Sequence, residues 1–118
     1  MAQQANQPLP NGHLLEEYTI DRQLSLGGFS IVYLATDTAG RQVAIKEYLP
    51  NSLALRTRGD VTPLISAEHL GAFRYGMKCF FEEGRALARL SHPNVIRVLN
   101  FFRANETVYM VMEYEHGR

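Results

Sequence analysis

Apolar and polar residues alternate along several stretches of this chain and recur at helical spacing along one. From Tyr18 to Leu26, the apolar Tyr18, Ile20 and Leu24 have polar residues between them, which predicts a strand that Gly27 and Gly28 end. Ser30 to Asp37 (SIVYLATD) is rich in β-branched and aromatic residues and predicts a second strand. Thr38-Ala39-Gly40 predicts a turn, and Arg41 to Tyr48 (RQVAIKEY) a third strand. Its Val43 and Ile45 fall on one face and its Ala44 and Lys46 on the other, and Pro50 ends it. Val95 to Ala104 and Thr107 to Tyr114 predict two further strands, joined at Asn105-Glu106 as a hairpin.

Between the third and fourth strands, Asn51 to Ile65 shows no steady period and reads as an irregular loop. Ser66 is placed to cap a helix whose first turn suits Glu68. Leu70, Phe73, Met77, Phe80, Phe81, Leu87 and Ala88 then recur at helical spacing. Gly71, Gly76 and Gly84 disfavour a helix interior, so one helix and two helices with a bend both stay open. Ser91-His92-Pro93-Asn94 ends the helical stretch. The links within the first three strands and within the last two are short, which favours antiparallel pairing. The expected fold class is therefore α+β, a five-stranded antiparallel sheet with one main helix over one face. Residues 1–13, MAQQANQPLPNGH, read as a flexible leader, and 14–118 as one domain.

Charge and composition exclude several function classes. Twelve basic residues balance twelve acidic ones, which argues against a nucleic-acid module and against a polybasic membrane anchor. No apolar run reaches the ~18 residues that span a bilayer. The single cysteine, Cys79, excludes an internal disulfide and points to a reducing compartment, most simply the cytoplasm. It reads more readily as a small packing residue than as a reactive thiol.

Three features carry candidate chemistry. A hairpin tipped by Gly27 and Gly28 can bring backbone N–H groups close to a phosphate, although most glycine hairpins are only turns. Lys46 is either a solvated strand charge or a point charge for phosphate oxygens. Glu83 has Phe80 at −3 and Leu87 at +4, which puts it on the apolar helix face. A carboxylate there needs a partner, and Lys46 is the candidate; Glu82, about 100° around the helix, is the rival.

Taken together these stretches resemble the protein-kinase family. Leu24-Ser25-Leu26-Gly27-Gly28-Phe29-Ser30-Ile31-Val32-Tyr33 resembles its glycine-rich loop, and Val43-Ala44-Ile45-Lys46 its third-strand motif. Phe80-Phe81-Glu82-Glu83 with Leu90-Ser91-His92-Pro93-Asn94-Val95-Ile96 resembles the C-helix and the entry to the next strand. Tyr109-Met110-Val111-Met112-Glu113-Tyr114 resembles the last strand and the hinge. The resemblance implies the amino-terminal, ATP-binding lobe of a serine/threonine kinase, with Lys46 on the α- and β-phosphates and Glu83 orienting it. It implies that backbone around Gly27, Gly28 and Phe29 covers the phosphates, that Leu26 and Ser30 also belong to the nucleotide site, and that Val32 and Ala44 sandwich the adenine. Met112 would be the gatekeeper, and the main chain of Glu113 and Glu115 would bond the adenine edge. Lys46-Glu47-Tyr48-Leu49-Pro50 with the long link after it looks like a group of bacterial kinases.

Ser25 and Ser30 stand where the family has glycines, which restricts the loop and holds it further from phosphate. No His-Arg-Asp or Asp-Phe-Gly motif occurs in the chain. The resemblance therefore implies that the catalytic base and the Mg2+-holding residues belong to a carboxy-terminal lobe absent from this chain. No residue here is expected to be catalytic or to bind metal, and the lobe alone is expected to be inactive. The implied partners are ATP, a protein substrate of the parent kinase, which could itself be membrane-tethered downstream, and the missing lobe. An uncovered apolar strip would favour dimers or strand exchange. Two rival readings stay open: a regulatory pseudokinase or protein-binding module, and a small barrel with one helix and no nucleotide role.

Overall fold

Strands β1 (Leu14–Leu15), β2 (Tyr18–Leu26), β3 (Ser30–Thr36) and β4 (Gln42–Tyr48) precede one helix, α1 (Ala67–Ala88), and strands β5 (Val98–Ala104) and β6 (Thr107–Glu113) follow it. The computed structural model describes residues 6–89 and 97–114. The expected helix stop at Ser91–Asn94, the start of the fourth expected strand at Val95 and Ile96, and Glu115 lie outside the described residues. Among the described residues six strands form one antiparallel sheet in the order β1-β2-β3-β4-β6-β5. The expected count of five is corrected by Leu14–Leu15, which pairs with Thr19 and Tyr18 at the sheet edge.

Alternation along the strands sorts the sheet into two faces. On one, the register lines up Ile31, Glu47 and Tyr109, and beside them Tyr33, Ile45 and Val111. All six are essentially inaccessible to solvent. The other face carries the rows Val32, Lys46, Met110 and Leu34, Ala44, Met112. The β5–β6 hairpin turns at Asn105 and Glu106, whose φ values of 52° and 60° are those of a two-residue turn matched to strand twist.

Helix α1 is continuous through all of its glycines, and two of them explain how it docks. A Cβ on Gly76 would fall 2.0 Å from the Tyr48 hydroxyl, and one on Gly84 1.7 Å from Cζ of Phe101. Each glycine is thus a notch into which an aromatic side chain from the sheet closes. Tyr48 also packs on Phe73 and Phe80 and donates to the Phe73 carbonyl at 3.2 Å. The Ser66 hydroxyl meets the His69 imidazole at 2.9 Å, and its carbonyl accepts the His69 N–H.

The leader and the loop depart most from expectation. Residues 6–13 were expected to be flexible, yet Asn6 and Leu9 are buried. The physical reason is Arg56, in the loop that shows no period. Its guanidinium is fully buried and grips both oxygens of Glu47, at 2.6 Å and 2.7 Å. Tyr33 and Tyr109 donate to the same carboxylate. The Arg56 Nε–H donates to the Gln7 carbonyl at 2.8 Å, and the Gln7 N–H to the Arg56 carbonyl at 3.0 Å. Asn6 accepts from the Arg56 N–H and donates to the Ala54 carbonyl, while the Leu9 N–H donates to the Tyr33 hydroxyl. No buried side-chain polar atom among the described residues lacks a partner, as a buried ionic network requires.

Candidate functional site

Lys46 projects from β4 toward α1, one residue away from Glu47 and on the opposite face. It is half-buried, and its ammonium lies 5.8 Å from the centroid of the Phe80 ring. A cavity of about 360 Å³ lies here, lined by Phe29, Ser30, Lys46, Tyr48, Phe80 and Glu83 among others. Burial, with a smaller effect of Cys79, holds the Tyr48 phenol above its usual range. A larger hollow of about 830 Å³ at the β3–β4 turn includes Glu113 and Tyr114 but neither Lys46 nor Glu83. The smaller cavity is the better candidate, because it joins the strand lysine and the helix carboxylate to an apolar wall beneath the hairpin residues Phe29 and Ser30.

The β2–β3 hairpin forms the rim. The Gly27 N–H donates to the Ser30 carbonyl at 2.9 Å. The carbonyls of Phe29 and Gly28 accept from the Leu49 and Asn51 N–H groups, at 2.8 Å and 3.0 Å. The tip is thus tied to the chain leaving β4. Neither Gly27 nor Gly28 takes a left-handed φ. Phe29 is 76% exposed, an apolar side chain with open space before it.

Of the residues singled out from sequence, Phe29, Ser30, Lys46 and Glu83 meet at one cavity. Val32, Ala44 and Met112 are half-buried on the Lys46 face of the sheet. Leu26, Gly27 and Gly28 lie exposed on the hairpin, and Glu113 is exposed at the end of β6. The ion pair expected between Lys46 and Glu83 is not formed. The ion pairs among the described residues are Arg41–Asp37 and Arg56–Glu47. Glu83 is exposed rather than on a buried face, and the ring of Phe80 takes the space beside the Lys46 ammonium. Glu82 is exposed as well.

Sequence reasoning missed Tyr48, Leu53 and Tyr75 as cavity walls, and Met110 as the neighbour of Lys46 across the β4–β6 pair. Tyr48 was legible, since it lies two residues beyond Lys46 and shares its face. Leu53 was not, because it comes from the loop without a period.

The protein kinase domain model matches residues 18–118. The serine/threonine-protein kinase srk1 of Schizosaccharomyces pombe is 30% identical over 87% of this chain, and ATG1c of Arabidopsis thaliana 27% over 90%. The chain spans only 16% and 12% of those two relatives. The solved PpkA-294 apo form superposes with a TM-score of 0.84 at 41% identity, over 91% of this chain and 38% of that one. The Mycobacterium tuberculosis PknI kinase domain, at 20% identity and a TM-score of 0.62, shares the fold over 91% of this chain and 36% of that one. A curled antiparallel sheet with one helix, a glycine hairpin over a strand lysine and a match running from Tyr18 to Arg118 agree on one assignment: the chain belongs to the protein kinase family, whose amino-terminal lobe it forms.

Proposed function

We propose that this lobe binds ATP and that the protein containing it transfers the γ-phosphoryl group to serine or threonine hydroxyls of a protein substrate. The observation that carries the reading is that Lys46 and Glu83, from elements far apart in the chain, line one cavity beneath the Phe29–Ser30 rim. Among the described residues Lys46 has no carboxylate partner, which leaves its charge available to the α- and β-phosphates. Leu26, Gly27, Gly28, Phe29 and Ser30 would cover those phosphates, with Val32 and Ala44 against the adenine. Met112 and the main chain of Glu113 and Glu115 would meet the adenine edge. ATP supplies the phosphoryl group, and its Mg2+ would be held by residues of a carboxy-terminal lobe. Among the described residues no three acidic, histidine or cysteine side chains form a metal cluster.

In this reading Glu83 would orient the bound Lys46 ammonium by approaching it. Helix displacement is a recurrent switching motion, and rotation of α1 about its Tyr48 contact would bring the carboxylate inward. Calorimetry of ATP against the chain and its Lys46→Met variant tests the reading. Loss of binding by the variant supports it, and equal binding by both overturns it. Phosphoryl transfer assayed in the longer protein tests the activity.

Ser25 at the first loop-glycine position and the unformed Lys46–Glu83 pair favour a second reading, a regulatory pseudokinase. Nucleotide binding without transfer in the longer protein would select it. No described helix is long and apolar enough to cross a membrane, the exposed free thiol of Cys79 suits a reducing cytoplasm, and the resemblance of Lys46-Glu47-Tyr48-Leu49-Pro50 with its long following link supports a bacterial source. Edge strand β5 exposes Leu99, which favours self-association of the isolated lobe, a property that light scattering reads directly.

A further inference from the structure

We propose that residues 6–9 are a strap that positions Lys46 from the opposite face of the sheet, acting through Arg56 and Glu47. The connection is continuous. Asn6 holds the Ala54 carbonyl and the Arg56 N–H, and Gln7 bonds Arg56 through both of its own main-chain groups. The Leu9 N–H donates to the Tyr33 hydroxyl, which in turn donates to Glu47. Arg56 then holds both Glu47 oxygens. Glu47 and Lys46 are neighbours in β4, so fixing one side chain fixes the strand from which the other projects.

The same bonds fix the loop that leads from β4 into α1. Arg56 anchors that loop between Leu49, whose N–H holds the Phe29 carbonyl, and Ser66, which immediately precedes α1. Rim, lysine strand and helix entry therefore share one buried anchor. Without it, the two parts of the cavity that would meet a phosphate lose their common reference. Glu47, Arg56 and Asn6 do not line the cavity, so they are positioning residues. That Lys46 meets phosphate rests on the function proposed above; that the strap fixes Lys46 does not.

The chain holds two lysines, Lys46 and Lys78, which gives a direct readout. Lys78 lies on α1 in a separate groove with Arg74 and Phe81, and serves as the internal control. In a chain with 13C-labelled lysine, the ε-methylene signal of Lys46 is expected to shift or broaden in Asn6→Ala and on removal of residues 1–9. The Lys78 signal is expected to stay in place. Unmoved signals, or both lysines moving alike, would overturn the proposal. Asn6→Ala is the milder change and keeps the test open should the deletion fold poorly.

A nucleotide titration adds the functional arm, run below each variant's melting temperature and scaled to the folded fraction. Affinity for ATP is expected to fall about fivefold, a partial loss of one phosphate contact, while affinity for adenosine holds. Equal weakening of both ligands would mean that the strap is structural only, against the proposal. If the native chain binds neither ligand, the nucleotide reading fails, and the lysine spectrum still decides whether the strap positions Lys46.

Discussion

Lys46 and Glu47 are adjacent charges with opposite fates. Glu47 is fully buried and bonded by Arg56, Tyr33 and Tyr109. Lys46 is half-buried, with the Phe80 ring beside its ammonium and no carboxylate partner among the described residues. Burying a charge costs several kcal/mol unless it is paired and hydrogen-bonded, so the network around Glu47 is what makes its position tolerable. Among the described residues the ammonium opposite has no such network, which keeps a charge available for a ligand. One face of the strand is built for the lobe, and the other for what binds it.

Breaking the pair on the buried side should have the largest effect. Arg56→Met leaves Glu47 an uncompensated buried carboxylate, for which about 3–5 kcal/mol of destabilisation is expected. Urea unfolding followed by circular dichroism measures it. The double variant Glu47→Leu/Arg56→Met should recover only part of the loss, since it removes the buried charge but leaves the Tyr33 and Tyr109 hydroxyls without their acceptor. A double variant no more stable than Arg56→Met would show that the strap and loop need the ion pair itself rather than a filled core.

The phenols around Glu47 offer a second test, through pH. Burial first, and then the negative charge of Glu47, hold Tyr33 and Tyr109 well above their ordinary value of 10.0. Burial alone would lower Arg56, but its bonds to Glu47 outweigh that and keep it protonated. The folded tyrosines therefore stay neutral where unfolded ones ionise. Their contribution is present in full below pH 10.0 and is lost as pH rises above it toward the folded values. A fall of about 2 kcal/mol between pH 10 and 11 is expected from the two groups together. Tyr33→Phe should reduce that slope, and a slope unchanged by the substitution would remove Tyr33 from the account.

The strands and the helix were legible because each repeats a simple period: Tyr18–Leu26 was expected and found with the same bounds. The glycines of α1 misled in a definite way. Gly76 and Gly84 argue against a helix by propensity, yet each is required by an aromatic side chain from a distant strand, which no local pattern reveals. The network that ties residues 6–9 to Glu47 was hidden for a related reason. Arg56 lies in a segment without a period, and Asn6 in a polar leader; only their contacts at separations of 50 and 9 residues, with each other and with Glu47, give them a role. At the site, Lys46 was legible from its strand. The exposure of Glu83 was not, because it depends on how the helix is seated on Tyr48 and Phe101.

The smallest expected effect lies on the open side and completes the contrast. Lys46→Met removes the ammonium but keeps an unbranched stem of similar reach over Phe80. The cation–ring contact, at 5.8 Å and partly solvated, is worth about 0.5 kcal/mol. The charge leaves no buried carboxylate behind, because Glu83 is exposed and unpaired with it. Stability should therefore change by no more than about 0.5 kcal/mol, of either sign, in the same urea measurement. Nucleotide affinity, where the lobe has it, should collapse in that variant. A Lys46→Met variant destabilised as much as Arg56→Met would mean that the lysine is held by the fold after all, and the division of labour between the two faces of β4 would be lost.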